Sequence, residues 1–529
     1  MLYFLHANAR APRQQKQLSN STSLSPSPPD WLKLYRGHLA GLLRHPTGAA
    51  VVDELYTRAT PAQRDGMAAE FYSREYVLFP AGSGVSSSTT SSSIPTSLAA
   101  ALEGAPPPRR TAILQRLATQ VTPILDKGML DPALTHRLVA EYLAAAPPRA
   151  AADAVDALAG PGLMRMVHTR DGAAAACAVL ALGTAKDRKK AVKAMKGHVG
   201  TMARDEWASG VLGAALTHTD DTQLLTKVIG TELGAALDAG DAVTSLLAHK
   251  HARRVLLQVL EPGSARYLPP HTLALVYPVT AAGEAARKVA AAAAETAEKG
   301  DTAVPAEPAA EGDAPSTAPA HLGVSKKAGD KRRREVLGTG PASLGAKLLA
   351  AASSCAGALL RGPGADVLVE AARGGGRDGV LLDAHGPAVK ALRAALVAQA
   401  AAPLETEEKK AEKDAPSTTH ALTDFYGSRA LKHFALLAVP GEGGDPAAPG
   451  VAAAAEGVRL LWTTALAGRA GSLVKGHAAK VVAAVWVALV AGGDGASEEV
   501  AAARTELGKV VGDVDAWAGG VLKAGAGEK

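Results

Sequence analysis

The sequence predicts an all-α fold, an α-solenoid in which helical units stack on one another. Alanine is abundant and aromatic residues make up only 4% of the chain. This composition favours helices packed on helices, since strands prefer branched and aromatic side chains. Small residues recur along the chain, from Gly172 to Ala208 at a step of about 36 positions, which is typical of stacked helical repeats, and again at Ala252.

Apolar residues within these units recur at helical spacing. Each small residue is followed by a pair of small or branched residues, which marks the buried side of a helix. The pairs are Ala175 with Ala176, Val211 with Leu212, and Val255 with Leu256. Similar apolar stripes are Val51, Val52, Leu55 and Tyr56; Leu138, Val139, Tyr142 and Leu143; and Leu225, Val228 and Ile229. Thr60 followed by Pro61 is typical of an N-cap and a first helical residue, so each unit is expected to hold two helices.

Composition and charge limit the possible classes of protein. The chain has 529 residues, of which 47% are apolar, enough for a large core and more than one packed unit. Its net charge of +6 permits a nucleic-acid partner without requiring one. Cys177 and Cys355 are the only cysteines, which excludes a disulfide framework and suits a reducing compartment. The longest strongly apolar run, 481–491, is too short for a membrane span, and an intracellular protein is expected.

Changes in composition divide the chain into helical blocks and linkers. Segments in which apolar residues do not recur at regular spacing, or which are rich in serine or charged residues, are expected to be linkers. We predict a disordered lead-in at 1–30, helical repeats at 31–290 with a flexible serine-rich insertion at 81–98, a basic disordered linker at 291–338, a helical repeat block at 339–400, a charged linker at 401–419 and a C-terminal helical block at 420–529.

The linker after the first block contains KKAGDKRRR at 326–334. Such a basic run is typical of a nuclear localisation signal or of nonspecific nucleic-acid contact. The alternative is that these charges are simply solvated in an unfolded segment. The predicted localisation residues are Lys326, Lys327, Lys331, Arg332, Arg333 and Arg334.

Several segments resemble the Pumilio-like (Puf) repeat proteins of the nucleolar Puf-A or Penguin type. They are PAQRDGMAAEFYSREYVLF at 61–79, HTRDGAAAACAVL at 168–180, GTAKDRKKAVKAMKGHV at 183–199, DDTQLLTKVI at 220–229 and LLAHKHARRVLLQVLEP at 246–262. The similarity is specific over 33–290. It continues over 340–500, where DFYGSRALKHFALL at 424–437 and Gly476 with His477 resemble the C-terminal Penguin-like (CPL) region.

The resemblance implies a curved α-solenoid of two- or three-helix Pumilio-like repeats. It also implies a protein that binds RNA or DNA with little base preference and acts in nucleolar pre-rRNA processing for the large ribosomal subunit. The family usually has a lysine-rich N-terminal arm and further upstream repeats, where this chain has an unrelated lead-in of thirty residues. Either the sequence is truncated at its start or the protein has lost part of the array.

The candidate binding residues are of the type that contacts phosphate. Sequence-specific Pumilio repeats recognise one base per unit through two or three side chains, but the unit at Gly172 offers Arg170 and Asp171 followed by four alanines. Cations on phosphate position a backbone without recognising bases, and such binding is salt-sensitive. The predicted RNA-binding residues are Arg137, Arg170, Lys189, Lys193, Lys196, Lys250, His251, Arg253, Arg254, Arg429 and Lys432.

Two of these groups have alternative interpretations. Lys189, Lys193 and Lys196 are spaced to project together from one helix, but such a stripe also occurs on a merely solvated outer face. His249 and His251 lack a nearby third ligand, so contact with phosphate or core is favoured over a metal site. No metal and no cofactor are expected.

Enzymatic function is not expected, because each catalytic pattern is incomplete. GGGRDG at 374–379 has the spacing of a dinucleotide loop but is better explained as a helix-to-helix connection. GPASLGAK at 340–347 has Ala346 where a phosphate-binding loop needs lysine. Cys177 with His168 suggests a thiol nucleophile, yet Cys177 lies in an alanine-rich helical core where an inert residue is expected.

The preferred hypothesis is a non-catalytic, monomeric RNA-binding protein of the nucleus and nucleolus. Its expected partners are pre-rRNA, mRNA as a further class of target, and pre-ribosomal proteins, with no membrane partner. The alternatives are a protein scaffold within pre-ribosomal particles and a translational regulator of bound mRNAs. Contiguity of Lys193, Lys196, Lys250, Arg253 and Arg254 on the fold would favour RNA binding, whereas their dispersal would favour the scaffold.

Overall fold

The computed structural model describes residues 32, 34–78, 94–239, 246–288, 322–323, 325–403, 420–440, 445–492 and 498–524. Its regular elements in these ranges are helices, and no strand occurs among them, which confirms the predicted all-α class. No helix in the described part of the chain has the length and apolar character needed to span a bilayer. The predicted lead-in and most of the two predicted insertions at 81–98 and 401–419 lie outside these ranges.

One set of helices forms a continuous row in which each helix packs against the next. We call it the inner row. Its members are α1 (Pro46–Arg58), α2 (Ala133–Ala145), α3 (Arg170–Leu182), α4 (Ala208–His218), α5 (Ala252–Leu260), α6 (Ala365–Arg373), α7 (Phe425–Leu436), α8 (Gly476–Gly492) and α9 (Val514–Ala524). Stacking along one axis confirms the predicted solenoid.

A second set of helices, the outer row, covers one side of the inner row. It consists of Pro61–Tyr72, Pro107–Asp126, Pro148–Leu158, Ala185–Ala194, Thr222–Leu225 continued by a π turn at Thr226–Gly230 and by Thr231–Asp238, Leu344–Ser354, Leu382–Ala401, Pro449–Leu461 continued by a π turn at Trp462–Leu466, and Glu498–Val511. Shorter elements are Leu39–Leu43, Glu75–Leu78, Leu98–Leu102, Pro161–Arg165, Val199–Arg204, Pro270–Val276, Gly329–Leu337, Ala356–Leu360 and Ala470–Leu473.

The small residue near the start of an inner helix makes room for the loop before it. A Cβ atom at Gly172 would lie 2.1 Å from the carbonyl oxygen of Met166, and one at Gly427 would lie 2.5 Å from that of Ala421. Both distances are far shorter than any real Cβ contact, so the loop can fold back this closely only over glycine. At α3 and α7 the small residue therefore reflects a tight turn into the inner helix.

Arginines at the start of outer helices tie each unit to the one before. Arg64 donates to the carbonyl oxygen of Tyr56 at 2.8 Å, near the end of α1. Arg188 is buried and donates to the carbonyl oxygens of Leu180 and Ala181 at 2.8 and 3.0 Å, at the end of α3. The last carbonyl groups of a helix have no partner within it, and these side chains satisfy them.

The segment predicted as a basic disordered linker at 291–338 is folded from residue 325 onward. Its helix Gly329–Leu337 packs on the outer helix that begins at Thr222. Arg332 and Arg333 are buried there, at 6% and 8% exposure. The expectation of an unfolded segment is therefore wrong for this part, because apolar residues beside the arginines, such as Val336, enter the core.

These two arginines bind the ends of inner helices that precede the linker in the sequence. Arg332 donates to the carbonyl oxygen of Thr217 at the end of α4 and pairs with Asp220 at 3.1 Å. Arg333 donates to the carbonyl oxygen of Leu260 at the end of α5, at 2.9 Å. The same helix-end contact that Arg188 makes to α3 thus recurs, with arginines supplied from more than seventy residues away.

A buried histidine connects α2 to α3. The Nε2 atom of His136 lies 2.6 Å from the carbonyl oxygen of Leu130 and donates to it, and its Nδ1 atom accepts from the Thr169 hydroxyl at 2.7 Å. The Thr169 oxygen in turn accepts from the backbone N–H of Gly172 and caps α3. Burial lowers the pKa of His136 to about 4, which keeps the ring neutral in this network.

Replacing Arg332 with methionine should loosen the end of α4. The variant leaves the Thr217 carbonyl and the Asp220 carboxylate without their partner, and the free energy of local opening should fall by about 2 to 3 kcal/mol. Hydrogen–deuterium exchange over residues 208–220 would show this as faster exchange. Lys331→Met is the matched control, because Lys331 is exposed on the same helix. Equal exchange in both variants would contradict the account.

Acid should destabilise the first block through His136. The folded state resists protonation down to about pH 4, whereas the unfolded chain binds the proton near the ordinary pKa of 6.5. Stability is therefore full above about pH 6.5 and declines by about 3 kcal/mol as the pH falls toward 4. In His136→Asn this decline is absent, so the Tm gap to the unmodified protein should shrink in acid. The control is His45→Asn, because His45 is exposed. If the Tm difference between this variant and the unmodified protein shrank in acid by the same amount, the role of burial would be contradicted.

Candidate nucleic-acid interface

The first basic cluster lies where the short helix Val199–Arg204 ends and α5 begins. It consists of Arg204, His249, Lys250, His251, Arg253 and Arg254. Within the described residues, none of its lysine and arginine side chains forms an ion pair. Glu206 interacts electrostatically with His251 and Arg254, but it forms no ion pair with the cluster, so the cations remain available to an anion from outside the chain.

The two histidines of the first cluster are held neutral. Burial and then the charges of Arg204 and Arg253 lower the pKa of His249. Its Nδ1 atom accepts from the backbone N–H groups of His251 and Ala252, at 3.3 and 3.4 Å. Burial and then the charges of Arg254 and Lys250 lower the pKa of His251 as well. Proton uptake is thus disfavoured because the cluster is already cationic.

The second basic cluster joins α7, α8 and the loop after α5. It consists of Arg266, Arg429, Lys432 and Lys480. Burial and then the charges of the other three members lower the pKa of the Lys432 ammonium. Arg266, Arg429 and Lys432 form no ion pair with a described carboxylate. Cations from α7, α8 and the loop after α5 therefore converge, and three of them, Arg266, Arg429 and Lys432, are not neutralised by a described carboxylate.

A buried polar network supports the second cluster from below. The Tyr267 hydroxyl donates to Glu370 at 2.5 Å, and its oxygen lies 2.8 Å from the Nε2 atom of His433. Glu370 also pairs with buried Arg373 at 3.2 Å. Burial, together with the charges of Arg266, Arg373 and Arg429, lowers the pKa of His433 to about 3. The carboxylate of Glu370 is thus engaged inside the fold and does not neutralise the surface.

The cations do not form one contiguous group, because the structure holds two clusters with a gap between them. The gap falls at α6, which carries Asp366 and the buried, paired Arg373. Arg170, at the start of α3, is exposed and separate from both clusters. Both clusters nevertheless lie on the inner row or on the loops that lead into it.

Arg137 is committed to contacts within the fold. It pairs with Asp65 at 2.9 Å and with Glu141 at 3.1 Å, and its side chain is only 11% exposed. It also donates to the carbonyl oxygen of Thr96 at 2.6 Å. A side chain used in this way braces the first units and presents little surface to a ligand.

The three predicted lysines of one helix lie on the outer row. Lys189 and Lys193 are exposed on Ala185–Ala194, and this helix ends before Lys196, which lies in the following turn. The expected stripe of three on a single helix is therefore wrong for Lys196. The structure brings Lys250, Arg253 and Arg254 together but does not place Lys193 and Lys196 beside them in the first cluster.

The predicted localisation segment is largely built into the fold. Arg332 and Arg333 are buried, and Arg334 pairs with Asp383. Lys327 pairs with Glu335 at 2.5 Å. Lys326 and Lys331 are exposed. The expectation of an extended, fully solvated basic run is therefore corrected, because its arginines are needed to close the solenoid.

One face of the inner row is covered by the chain itself. The helix Pro270–Val276 packs across α3 and α4. A Cβ atom at Gly210 would meet Leu275 at 3.3 Å, and one at Gly213 would meet Val276 at 3.1 Å. The glycines and alanines of this face, which offered no base-recognition code in the sequence, therefore form a packing surface for an internal helix.

Several interface residues were missed by the sequence argument. Arg204 and Arg266 belong to loops and helix ends, where no helical period applies. Lys480 could have been found, because it follows the small residue Ala478 by two positions, as Arg254 follows Ala252. Arg429 stands at the same offset from Gly427, so a column of cations was visible once the units were aligned.

The segments that resembled catalytic motifs have structural roles in the fold. Gly374 to Gly379 form the predicted connection between α6 and Leu382–Ala401. Ser343 of the second motif caps Leu344–Ser354. Cys177 is fully buried, and burial raises the pKa of its thiol. In the described ranges no three histidine, cysteine or acidic side chains are grouped as a metal site.

Known proteins resemble this chain in sequence over just under half its length. Pumilio homolog 24 of Arabidopsis thaliana is 42% identical over 240 residues, which is 45% of this chain and 35% of that protein. Pumilio homolog 3 of Rattus norvegicus is 30% identical over 247 residues, covering 46% and 35%. The match thus spans about a third of the length of these relatives. No protein-family model matches the chain.

Solved structures resemble the chain over nearly its whole length. The crystal structure of human Puf-A matches with a TM-score of 0.62 at 21% identity, covering 94% of this chain and 80% of the other. A structure of human Puf-A in complex with DNA matches with a TM-score of 0.61. At this identity the likeness establishes the fold.

Stacked helical units in two rows define a helical-repeat solenoid with the fold of human Puf-A. The resemblance inferred from the sequence is thereby confirmed. In sequence, just under half of the chain is similar to the Pumilio homologs.

Proposed function

We propose that this protein is a non-catalytic RNA-binding protein that holds the sugar-phosphate backbone at the two basic clusters. The observation that carries the proposal is the set of cations, Arg204, Lys250, Arg253 and Arg254 in one cluster and Arg266, Arg429 and Lys432 in the other, that have no ion-pair partner among the described residues. Unneutralised cations on a folded scaffold attract phosphate strongly and release counterions on binding. The DNA complex of human Puf-A supports a nucleic-acid ligand for this fold.

Recognition of base identity is not part of this proposal. Pumilio repeats that recognise bases use side chains of the inner helices. Here Pro270–Val276 covers that face of α3 and α4, and the residues beneath it are glycine and alanine. Contacts are therefore confined to the uncovered edge, where arginine and lysine bind phosphate in any sequence.

The cellular role follows from the family. The resemblance to nucleolar Puf-A proteins supports action in pre-rRNA processing for the large ribosomal subunit, with pre-ribosomal proteins as neighbours and the nucleolus as location. Exposed Lys326 and Lys331 are the parts of the basic segment open to an import receptor. A scaffold role or the regulation of bound mRNAs would follow if RNA binding proved absent or strongly sequence-selective.

Charge reversal in each cluster should weaken RNA of every sequence alike. Arg253→Glu with Arg254→Glu, and separately Arg429→Glu with Lys432→Glu, should each lower affinity for random-sequence RNA at least about tenfold at low salt. Each pair should also reduce the slope of log affinity against log salt by about 1.4, since a single-stranded phosphate contact contributes about 0.7. Electrophoretic binding over a salt series measures both quantities.

A matched control places the same charge change on the outer row. Lys189→Glu with Lys193→Glu alters two exposed residues outside both clusters, and a much smaller loss of affinity is expected. An equal loss in this control would show that general charge, not the clusters, determines binding. A loss restricted to one RNA sequence, or no binding of unmodified protein at low salt, would contradict the proposal.

A further inference from the structure

Three rings lie exposed beside the second basic cluster. Phe425 and Tyr426, at the start of α7, are each 54% exposed. Their ring centroids are 5.3 Å apart, with the ring planes at 86°. His477, in the first turn of α8, lies edge-on to Phe425 with centroids 5.9 Å apart. The chain has only five phenylalanines and nine tyrosines, so two adjacent exposed rings are unusual in this molecule.

These rings share their helices with the cations of the cluster. Arg429 follows Phe425 by one helical turn on α7, and Lys480 follows His477 by three positions on α8. Side chains three or four positions apart lie on the same face of a helix. Rings and cations therefore form one surface, with the rings nearer the helix starts.

We infer that Phe425, Tyr426 and His477 form a stacking platform for an unpaired base of single-stranded RNA, whose phosphates contact Arg429, Lys432 and Arg266. This inference rests on the proposed function and specifies its substrate as single-stranded. An exposed ring beside cations can stack any base while the backbone is held, which adds affinity without sequence selection. A duplex keeps its bases stacked on one another and gains nothing from the platform.

Charge complementarity favours nucleic acid over an apolar protein partner at this surface. The rings adjoin a cluster in which Arg266, Arg429 and Lys432 have no described carboxylate partner, and burial with the charges of Lys480, Arg266 and Arg429 lowers the pKa of Lys432. An apolar protein surface would bury these charges without compensation, which is unfavourable. A strand of RNA satisfies both the rings and the cations.

The test compares an oligouridylate with an abasic phosphate backbone of equal length and with duplex RNA. Phe425→Ala with Tyr426→Ala should lower affinity for the oligouridylate about tenfold, because stacking on an aromatic side chain contributes roughly 1 to 3 kcal/mol per base. Affinity for the abasic strand and for the duplex should be unchanged. Phe425→Trp with Tyr426→Trp keeps the rings and should retain binding. Val510→Ala, at a position with the same 54% exposure, is the control for removal of apolar surface.

The outcomes separate the two proposals. If the alanine pair weakens the abasic strand and the oligouridylate equally, or weakens neither, the platform is refuted while phosphate binding stands. If the unmodified protein binds no oligomer at low salt, the proposed function fails and the platform with it. Loss of binding in the tryptophan pair as well, with an unchanged Tm, would also refute stacking.

Discussion

Direct contact between inner helices is the constraint on which the rest of the structure depends. Each inner helix packs against both neighbours in the row, and in α3 the buried residues include Ala173, Ala175, Ala176 and Ala178. Such small side chains allow close approach, and the turn before the helix closes over Gly172. In α3 this packing leaves little room for long side chains except at the edge of the row.

That constraint determines where chemistry can occur. The middle of α4 is wholly buried, partly by its neighbours and partly by Pro270–Val276. The cations of the two clusters and the exposed rings beside them lie around the starts of α5, α7 and α8, at the end of Val199–Arg204 and in the loop after α5. Other arginines, such as Arg188 and Arg332, donate hydrogen bonds to carbonyl oxygens at helix ends. The cations left for ligand binding are therefore those that the scaffold does not use for its own contacts.

Local sequence patterns predicted most of the fold, because helical spacing and caps act over a few residues. The helix after Thr60, the stripe at Leu138 and the recurring small residue are all found in the structure. Long-range pairing was not predictable. Nothing local in KRRR distinguishes a solvated import signal from arginines that contact helix ends over seventy residues away. The same limit applies to Arg137, whose partner Asp65 comes from another unit.

Lysine acylation with and without random-sequence RNA, quantified by mass spectrometry, tests the central claim most directly. If the backbone lies across the two clusters, RNA should protect Lys250 and Lys432 from the reagent, while Lys189 and Lys193 on the outer row stay reactive. Protection of Lys189 and Lys193 with Lys250 and Lys432 still reactive would place the nucleic acid on the opposite row and contradict the account.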